Sequence, residues 1–184
     1  DRLYINEGGN KFVKSENAIP TGMHVSGKIV EPCDYDNDGD VDLFVGGRLT
    51  PSKYPFAPRS YLLENDNGKF KDVTNEVAPG LLQPGLVSCA VWVDHNGDGF
   101  SDLVVSGEWM SILLFENNGS TFVDKTEIYG FDDYTGWWSS IVAEDLDNDG
   151  DTDLVVNIEC STGSYTSDGE PLLDGDKVVY LNNG

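Results

Sequence analysis

Basic residues are scarce in this chain. Its 184 residues include 11 Lys and Arg against 33 Asp and Glu, which leaves a formal net charge of −22. A surface this acidic repels nucleic acid and anionic lipid, and it attracts cations. The composition therefore argues against nucleic acid as a partner and favours a protein that binds cations.

Long apolar runs are missing as well. No stretch approaches the ~20 consecutive apolar residues of a membrane-spanning helix, so we expect no membrane span. The first residues, Asp1 to Asn6, have neither the basic start nor the apolar centre of a signal peptide. We expect that any signal was removed or lies outside this chain.

Histidine and cysteine are rare, which limits catalysis. His24 and His95 are the only imidazoles, and no Gly-x-Ser-x-Gly elbow, Cys/His pair or phosphate-binding glycine loop occurs. The sequence predicts a non-enzymatic protein, with a glycosidase-like carboxylate pair as the alternative. Cys33, Cys89 and Cys160 show no metal-type spacing. They form either one disulfide with a spare thiol or three buried thiols.

Aspartate is abundant, and much of it lies in three loops of one pattern, which we call the first, second and third acidic loops. Each has acidic or amide side chains at positions 1, 3, 5 and 9 and glycine at position 6, and each runs into Leu-Phe-Val or Leu-Val-Val. Positions 1, 3, 5 and 9 are Asp34, Asp36, Asp38 and Asp42 in the first loop, Asp94, Asn96, Asp98 and Asp102 in the second, and Asp145, Asp147, Asp149 and Asp153 in the third. Position 7, which offers its backbone carbonyl, is Asp40, Phe100 or Asp151.

Such loops are suited to calcium. A tight curl turns alternate side chains inward, glycine permits the turn, and a shell of oxygen ligands selects Ca²⁺ over zinc or copper. An EF-hand would need Glu at position 12, where this chain has Val45, Val105 and Val156. We predict about three structural Ca²⁺ sites. The second should bind most weakly because Asn96 is neutral, and His95, at its position 2, should face away from the ion.

A second signature recurs in phase with the loops. Four apolar segments, beginning at Leu3, Leu62, Leu114 and Val179, each run into an Asn/Gly turn, as strands of hairpins do. The predicted fold is all-β, with propeller-type blades of four antiparallel strands. Three repeats cover approximately 20–77, 78–130 and 131–184, and residues 1–12 complete a preceding unit. Closed propellers need ~4–8 blades, so we expect part of a larger propeller or repeat assembly.

Recognition should lie in the connections. Residues 46–60 form a predicted surface loop carrying Arg48, Lys53 and Arg59, and residues 161–171 form a polar insertion. Four aromatic residues are either platforms for sugars or packing between blades. These residues are Trp109, Tyr134, Trp137 and Trp138.

The loops, together with Phe44-Val-Gly-Gly47, resemble FG-GAP/VCBS repeats, the blades of integrin-α-type propellers. Further segments are similar to bacterial VCBS proteins of the ASPIC/UnbV group, related to cartilage acidic protein. These are Phe44–Arg48, Pro58–Leu63, Phe70–Thr74, Gly107–Met110 and Thr135–Trp138. The chain departs from the pattern after Cys160.

The resemblance implies a secreted or surface-exposed propeller stabilised by calcium, with the ligands at the loop positions given above. The expected function is an extracellular calcium-binding repeat module for adhesion, or for recognition of a protein or glycan at the cell surface. One alternative is a glycan-binding, lectin-like propeller. Another is a subunit of an extracellular fibre or surface assembly that self-associates through its matching ends.

Overall fold

The computed structural model describes residues 2–133, 135–158 and 177–180. Antiparallel strands dominate them, as the sequence predicts, and helix is limited to short turns. None of the helices in these ranges is long and apolar enough to cross a membrane. Tyr134, Cys160 and the insertion at 161–171, on which predictions were made, lie outside the described residues.

The strands follow one another with short connections. They are β1 (Leu3–Asn6), β2 (Phe12–Ser15), β3 (Ser26–Cys33), β4 (Asp42–Leu49), β5 (Tyr61–Asp66), β6 (Lys69–Asp72), β7 (Leu86–Val93), β8 (Asp102–Ser111), β9 (Leu113–Asn117), β10 (Phe122–Asp124), β11 (Thr135–Glu144), β12 (Asp153–Ile158) and β13 (Lys177–Tyr180). One helical turn, α1 (Thr74–Val77), and two 3₁₀ turns, Pro79–Leu82 and Phe131–Asp133, complete the described elements.

The strands form three sheets. β1 pairs with β2 alone, and β3, β4, β5 and β6 follow in order in a second sheet. The third sheet has the order β10-β9-β8-β11-β12-β13, with β7 also paired to β8. β8 changes partner along its length: Leu103–Val105 pair with β9, whereas Glu108, Met110 and Ser111 pair with β11. No closed propeller is formed by the described residues, and the predicted repeat boundaries stay a prediction.

Strand β8 separates two hydrophobic cores. Leu103 and Val105 pack into a cluster with Phe44, Leu62 and other residues, while Val104 packs into a cluster with Trp138 and Leu154 among others. Successive side chains of a strand point to opposite faces, so one apolar run serves both cores. This explains why the Leu-Val-Val run is continuous rather than alternating.

The connection between β4 and β5 begins later than predicted. The prediction of a surface loop over 46–60 is wrong for residues 46–49, because β4 continues to Leu49. An added Cβ at Gly46 would lie 2.7 Å from Cγ1 of Val87, and one at Gly47 would lie 2.3 Å from the carbonyl oxygen of Arg59. These two glycines therefore allow close packing inside the fold, and they are not loop residues.

Two of the three cysteines lie in the described part of the chain. Cys33 and Cys89 are free thiols there, and burial raises the pKa of both. Cys89 packs in the core with Val104 and Trp138. The Cys89 thiol also lies 3.0 Å from the hydroxyl oxygen of Ser106, whereas Cys33 is half-buried. Because Cys160 lies outside the described residues, the choice between a disulfide and three thiols stays a prediction.

Candidate metal centres

Each acidic loop connects two neighbouring antiparallel strands. The first joins β3 to β4, the second joins β7 to β8, and the third joins β11 to β12. Paired strands hold both ends of each loop close together. The local sequence then decides how the loop curls between them.

The carboxylate at position 1 draws the loop backbone around itself. In the first loop the Asp34 oxygens accept hydrogen bonds from the amides of Asp38 and Gly39, each at 3.0 Å. Asp94 accepts the equivalent pair from Asp98 and Gly99. Asp145 accepts bonds from Asn148 and Gly150. An ionised carboxylate has about four lone-pair sites, so these oxygens retain capacity for a cation.

The side chains at positions 3 and 5 form short turns with the backbone two residues later. Asp36 accepts from the amide of Asp38 at 3.2 Å, and Asp38 accepts from the amide of Asp40 at 2.8 Å. In the other loops the side-chain oxygens at positions 3 and 5 accept the same bonds from the amides two residues later; these side chains are Asn96, Asp98, Asp147 and Asp149. Such Asx turns are a local property of Asp and Asn.

Two positions in each loop adopt the left-handed conformation. Position 6 does so at Gly39, Gly99 and Gly150, with φ of 97°, 88° and 100°. Position 4 also does so, at Asn37, Gly97 and Asn148. A turn was predicted from the sequence only at position 6. Because Asn and Gly are the residues that tolerate φ > 0, their recurrence at position 4 was the signal that could have shown the second turn.

Carboxylates converge in two of the loops. Oxygens of Asp34, Asp36 and Asp42 lie within 4.8 Å of one another, and so do oxygens of Asp145, Asp147 and Asp149. The second loop is fully described, and its three carboxylates form no such group. Oxygen donors at this spacing suit a hard cation such as Ca²⁺ or Mg²⁺. The first and third loops therefore have the donor set for a metal ion.

The carboxylate at position 9 is buried, being at most 1% exposed in Asp42, Asp102 and Asp153. One of its oxygens accepts a hydrogen bond from the backbone amide of position 2. The donors are Tyr35 at 3.2 Å, His95 at 3.1 Å and Leu146 at 2.8 Å.

In the first and second loops the other oxygen reaches the Asn/Gly turn. The amide of Asn65 donates to Asp42 at 2.8 Å, and the amide of Asn117 donates to Asp102 at 2.7 Å. Each of these Asn side chains also donates to the carbonyl oxygen at position 8, Val41 or Ser101. Position 9 therefore ties the acidic loop to the turn of a neighbouring strand pair, and this explains why the two sequence signatures recur in phase.

Burial and mutual repulsion act on the carboxylates of the first loop. Burial raises the pKa of Asp42 to about 6, although hydrogen bonds from the amides of Asn65 and Tyr35 oppose the shift. Burial and the neighbouring charges of Asp38 and Asp34 also raise the pKa of Asp36. A cation among these oxygens would relieve the repulsion.

His95 does not turn away from the ligand positions as predicted. Its Nδ1 lies 2.5 Å from Oδ2 of Asp102, and its Nε2 lies 3.0 Å from the hydroxyl oxygen of Tyr129. The hydrogen bond with Asp102 raises the pKa of His95. The position-9 carboxylate of the second loop is therefore shared with an imidazole, a contact with no counterpart in the first or third loop because their position 2 is Tyr35 or Leu146.

The first and second loops contact each other. The side-chain amide of Asn37 donates to the carbonyl oxygen of Gly99 at 3.2 Å, and that of Asn117 donates to the carbonyl oxygen of Tyr35 at 2.8 Å. The Tyr35 ring stacks on Trp92, with 6.5 Å between centroids. This junction could not be predicted from the sequence, since nothing in the local pattern indicates which loops become neighbours.

The proposed recognition residues divide into buried and exposed groups. Trp138 is fully buried and donates its indole N–H to the carbonyl oxygen of Met110. Of the two alternatives for this residue, packing in the core is therefore the one observed. Trp137 is half-buried, and Trp109 is exposed. Two of the three basic residues of segment 46–60 are paired within the fold, Arg48 with Glu108 and Arg59 with Asp72.

Comparison with known proteins agrees with the repeated order of acidic loops and strands. The family model of the FG-GAP-like repeat matches residues 94–156, a segment that begins at the second acidic loop and ends just after the third. No curated protein matches the chain. The chain is thus an all-β protein of antiparallel sheets that contains an FG-GAP-like repeat. The narrower resemblance to the ASPIC/UnbV group stays a prediction.

Proposed function

We propose that this chain is a non-enzymatic, extracellular calcium-binding module. In this proposal Ca²⁺ fastens the sheets, and the fastened sheets serve adhesion or the recognition of a protein or glycan at the cell surface. The observation that carries the proposal is the convergence of Asp34, Asp36 and Asp42 within 4.8 Å, repeated by Asp145, Asp147 and Asp149.

Calcium fits these loops better than other ions. The donors are all oxygens, whereas zinc and copper prefer nitrogen and sulfur ligands. A loop made of consecutive turns can adapt its geometry, which suits Ca²⁺ better than Mg²⁺ because Mg²⁺ requires a nearly ideal octahedron. In the first loop Asp34, Asp36, Asp38 and Asp42 would hold the ion with the carbonyl of Asp40. In the third loop Asp145, Asp147, Asp149 and Asp153 would do so with the carbonyl of Asp151.

The second loop is the weakest of the three proposed sites. Asn96 is neutral, and Asp102 already accepts bonds from the amide and the imidazole of His95. Asp94 and Asp98 would supply the remaining charge, with the carbonyl of Phe100. Fewer negative ligands lower the affinity of calcium loops.

The fastening role follows from position 9. Asp42 is proposed as a ligand, and it also accepts the amide of Asn65 at the end of β5. An ion bound in the loop would therefore stabilise the strand pairs that meet there. At a calcium concentration ten times the Kd, each filled site would add about 1.4 kcal/mol of stability.

We further propose that each loop marks one propeller blade. In the sheet β3 to β6 the acidic loop joins the first two strands, and an Asn/Gly turn joins the last two. β7 to β10 repeat this order, and β11 to β13 begin it again. Three blades are fewer than the ~4–8 of closed propellers, so the blades would belong to a larger propeller or assembly, as in the ASPIC/UnbV resemblance.

A second candidate function is self-assembly. The hairpin β1–β2 pairs with no other described strand, and it exposes Tyr4, Ile5 and Phe12. Exposed apolar side chains beside unpaired strand edges favour association with another chain. The chain would then act as a subunit of an extracellular fibre or surface layer. Sedimentation velocity with and without calcium tests this role, and a monomer under both conditions would rule it out.

Thermal unfolding with and without a chelator tests the calcium proposal. We expect EDTA to lower Tm, excess Ca²⁺ to restore it, and equimolar Mg²⁺ to restore little of it. Isothermal titration should resolve two tighter sites and one weaker site. An unchanged Tm after chelation, with no heat of binding, would refute calcium fastening.

A further inference from the structure

Trp109 interrupts the otherwise buried strand β8. Residues Asp102 to Glu108 are all buried, whereas the Trp109 side chain is 44% exposed. Glu108 pairs with Trp137 and Met110 pairs with Gly136, which leaves Trp109 as the unpaired residue of a β-bulge. Bulges re-aim a side chain, and they are concentrated near functional sites.

The backbone of Trp109 is strained. Its φ is +56°, in the left-handed region that a bulky residue rarely adopts. Such conformations are unfavourable for a bulky residue, and they cluster at sites where the strain serves a function. The strain here turns a large aromatic ring toward solvent.

Two contacts hold the exposed indole in place. Its Nε1 donates a hydrogen bond to the hydroxyl oxygen of Tyr54 at 3.0 Å, and its ring lies edge-to-face on Trp137, with 5.3 Å between centroids. Tyr54 comes from the connection between β4 and β5, and Trp137 comes from β11. The ring is therefore pre-oriented by two other parts of the chain.

The indole borders an open cavity of about 600 Å³, which Tyr54, Pro84, Glu108 and Met110 also line. Ligand pockets are typically ~300–1,000 Å³, mostly apolar with a few polar groups that fix orientation. The carboxylate of Glu108 is such a group, because it is the acidic residue lining this cavity and only 2% exposed.

Glu108 has an incomplete set of partners. Oε1 forms an ion pair with Arg48, whose Nε lies 2.5 Å away. Oε2 accepts no hydrogen bond from any described residue. Buried polar groups nearly always have a partner, so this oxygen is suited to accept a hydrogen bond from a ligand.

We propose that this cavity is a binding subsite for a neutral pyranose sugar. The apolar C–H face of the sugar stacks on the indole of Trp109, and a ring hydroxyl donates to Glu108. This inference rests on the recognition role proposed above, but it does not require that calcium fasten the fold.

The charge of the chain selects the kind of sugar. With a net charge of −22 the protein repels sialylated, sulfated and uronic acid glycans. The Glu108 carboxylate accepts hydrogen bonds but cannot donate them. Neutral hexoses satisfy both conditions because they carry hydroxyl donors and no charge.

Binding of the whole chain to an array of neutral and acidic glycans tests the proposal, followed by titration of the best neutral glycan in saturating Ca²⁺. Trp109→Asn removes the ring, and Asn tolerates a positive φ, so the backbone gains no strain. Glu108→Gln provides a second variant that preserves the shape. Phe56→Ala is the matched control, since Phe56 is 74% exposed in the same connection and does not line the cavity.

We expect Trp109→Asn to weaken glycan binding by about ten-fold or more, equivalent to about 1.4 kcal/mol. Phe56→Ala should change glycan binding less than two-fold. The Tm of both variants should equal that of the unsubstituted protein. Absence of neutral glycan binding, binding of a peptide at this cavity instead, or equal binding by Trp109→Asn would overturn the proposal. Sensitivity of Tm to EDTA is scored separately, so failure of the sugar site is distinguishable from failure of calcium fastening.

Discussion

The side-chain amide of Asn117 donates a hydrogen bond to the backbone carbonyl oxygen of Tyr35 over 2.8 Å, between residues 82 positions apart in the chain. The backbone amide of Asn117 donates to Asp102 at 2.7 Å. A single residue at the end of β9 thus holds the second acidic loop and reaches the first. This side chain is one of several contacts that join the two sheets, together with the bond from Asn37 to Gly99 and the stacking of Tyr35 on Trp92.

Replacement of Asn117 by alanine should therefore loosen that junction. Asn117 is buried, and its loss leaves the carbonyl oxygens of Tyr35 and Ser101 without this donor. We expect a loss of about 1–3 kcal/mol in urea unfolding at fixed calcium. Asn65→Ala is the matched control. Its side chain makes the equivalent bonds at its own turn, with the amide of Gly68 and the carbonyl oxygen of Val41, but no bond to another acidic loop among the described residues. Equal losses in the two variants would show that the contact with Tyr35 is unimportant.

The charge at position 3 should set the order of calcium affinities. Asn96→Asp adds a carboxylate to the second loop, and Asp36→Asn removes one from the first. We expect about a ten-fold gain and a ten-fold loss at the respective sites, because ligand charge tunes such loops. Isothermal titration calorimetry measures both. If the two exchanges left the site affinities unchanged, side chains at position 3 would not be ligands.

Positions 5 and 9 of one loop should respond differently to chelation. Asp102→Asn replaces two acceptor oxygens by one at a buried site that receives amides from His95 and Asn117. We expect a loss of about 1–3 kcal/mol even in EDTA. Asp98→Asn, an exposed position in the same loop, should lower Tm only when Ca²⁺ is present. The prediction fails if both variants match the unsubstituted protein in EDTA.

The ion pair of Asp72 and Arg59 should stabilise the fold at neutral pH and not in acid. Burial alone would raise the pKa of Asp72, but hydrogen bonds from Thr74 and from Arg59, 2.7 Å away, outweigh it and lower the pKa. A lowered folded pKa gives stability above the unfolded value of about 3.9, and that stability is lost as the pH falls through the folded pKa.

Urea unfolding of Asp72→Asn across pH tests this pair. We expect the variant to be less stable by about 1–2 kcal/mol at pH 7, with the difference shrinking once the pH falls below about 4. Glu76→Gln is the control, since its pairing with Lys71 is exposed on both sides. A difference that stays constant down to pH 3 would contradict the assignment.

Local structure was readable from the sequence. The turns at positions 1, 3, 5 and 6 involve residues within five positions of one another. The intrinsic conformational preferences of Asp, Asn and Gly determine the shape of these turns. The strands were readable because apolar and β-branched residues recur between Asn/Gly turns. The acidic loops, the all-β class and the antiparallel pairing could therefore be predicted.

The tertiary structure decided which distant groups meet. Asp42 meets Asn65, and Tyr35 meets Asn117, only after strands from different parts of the chain have paired, and no local preference encodes that pairing. Trp109 and Trp138 are the same residue type on neighbouring strands, yet one faces solvent and the other is fully buried. A one-residue bulge in β8 makes the difference, because side-chain direction in a sheet depends on register.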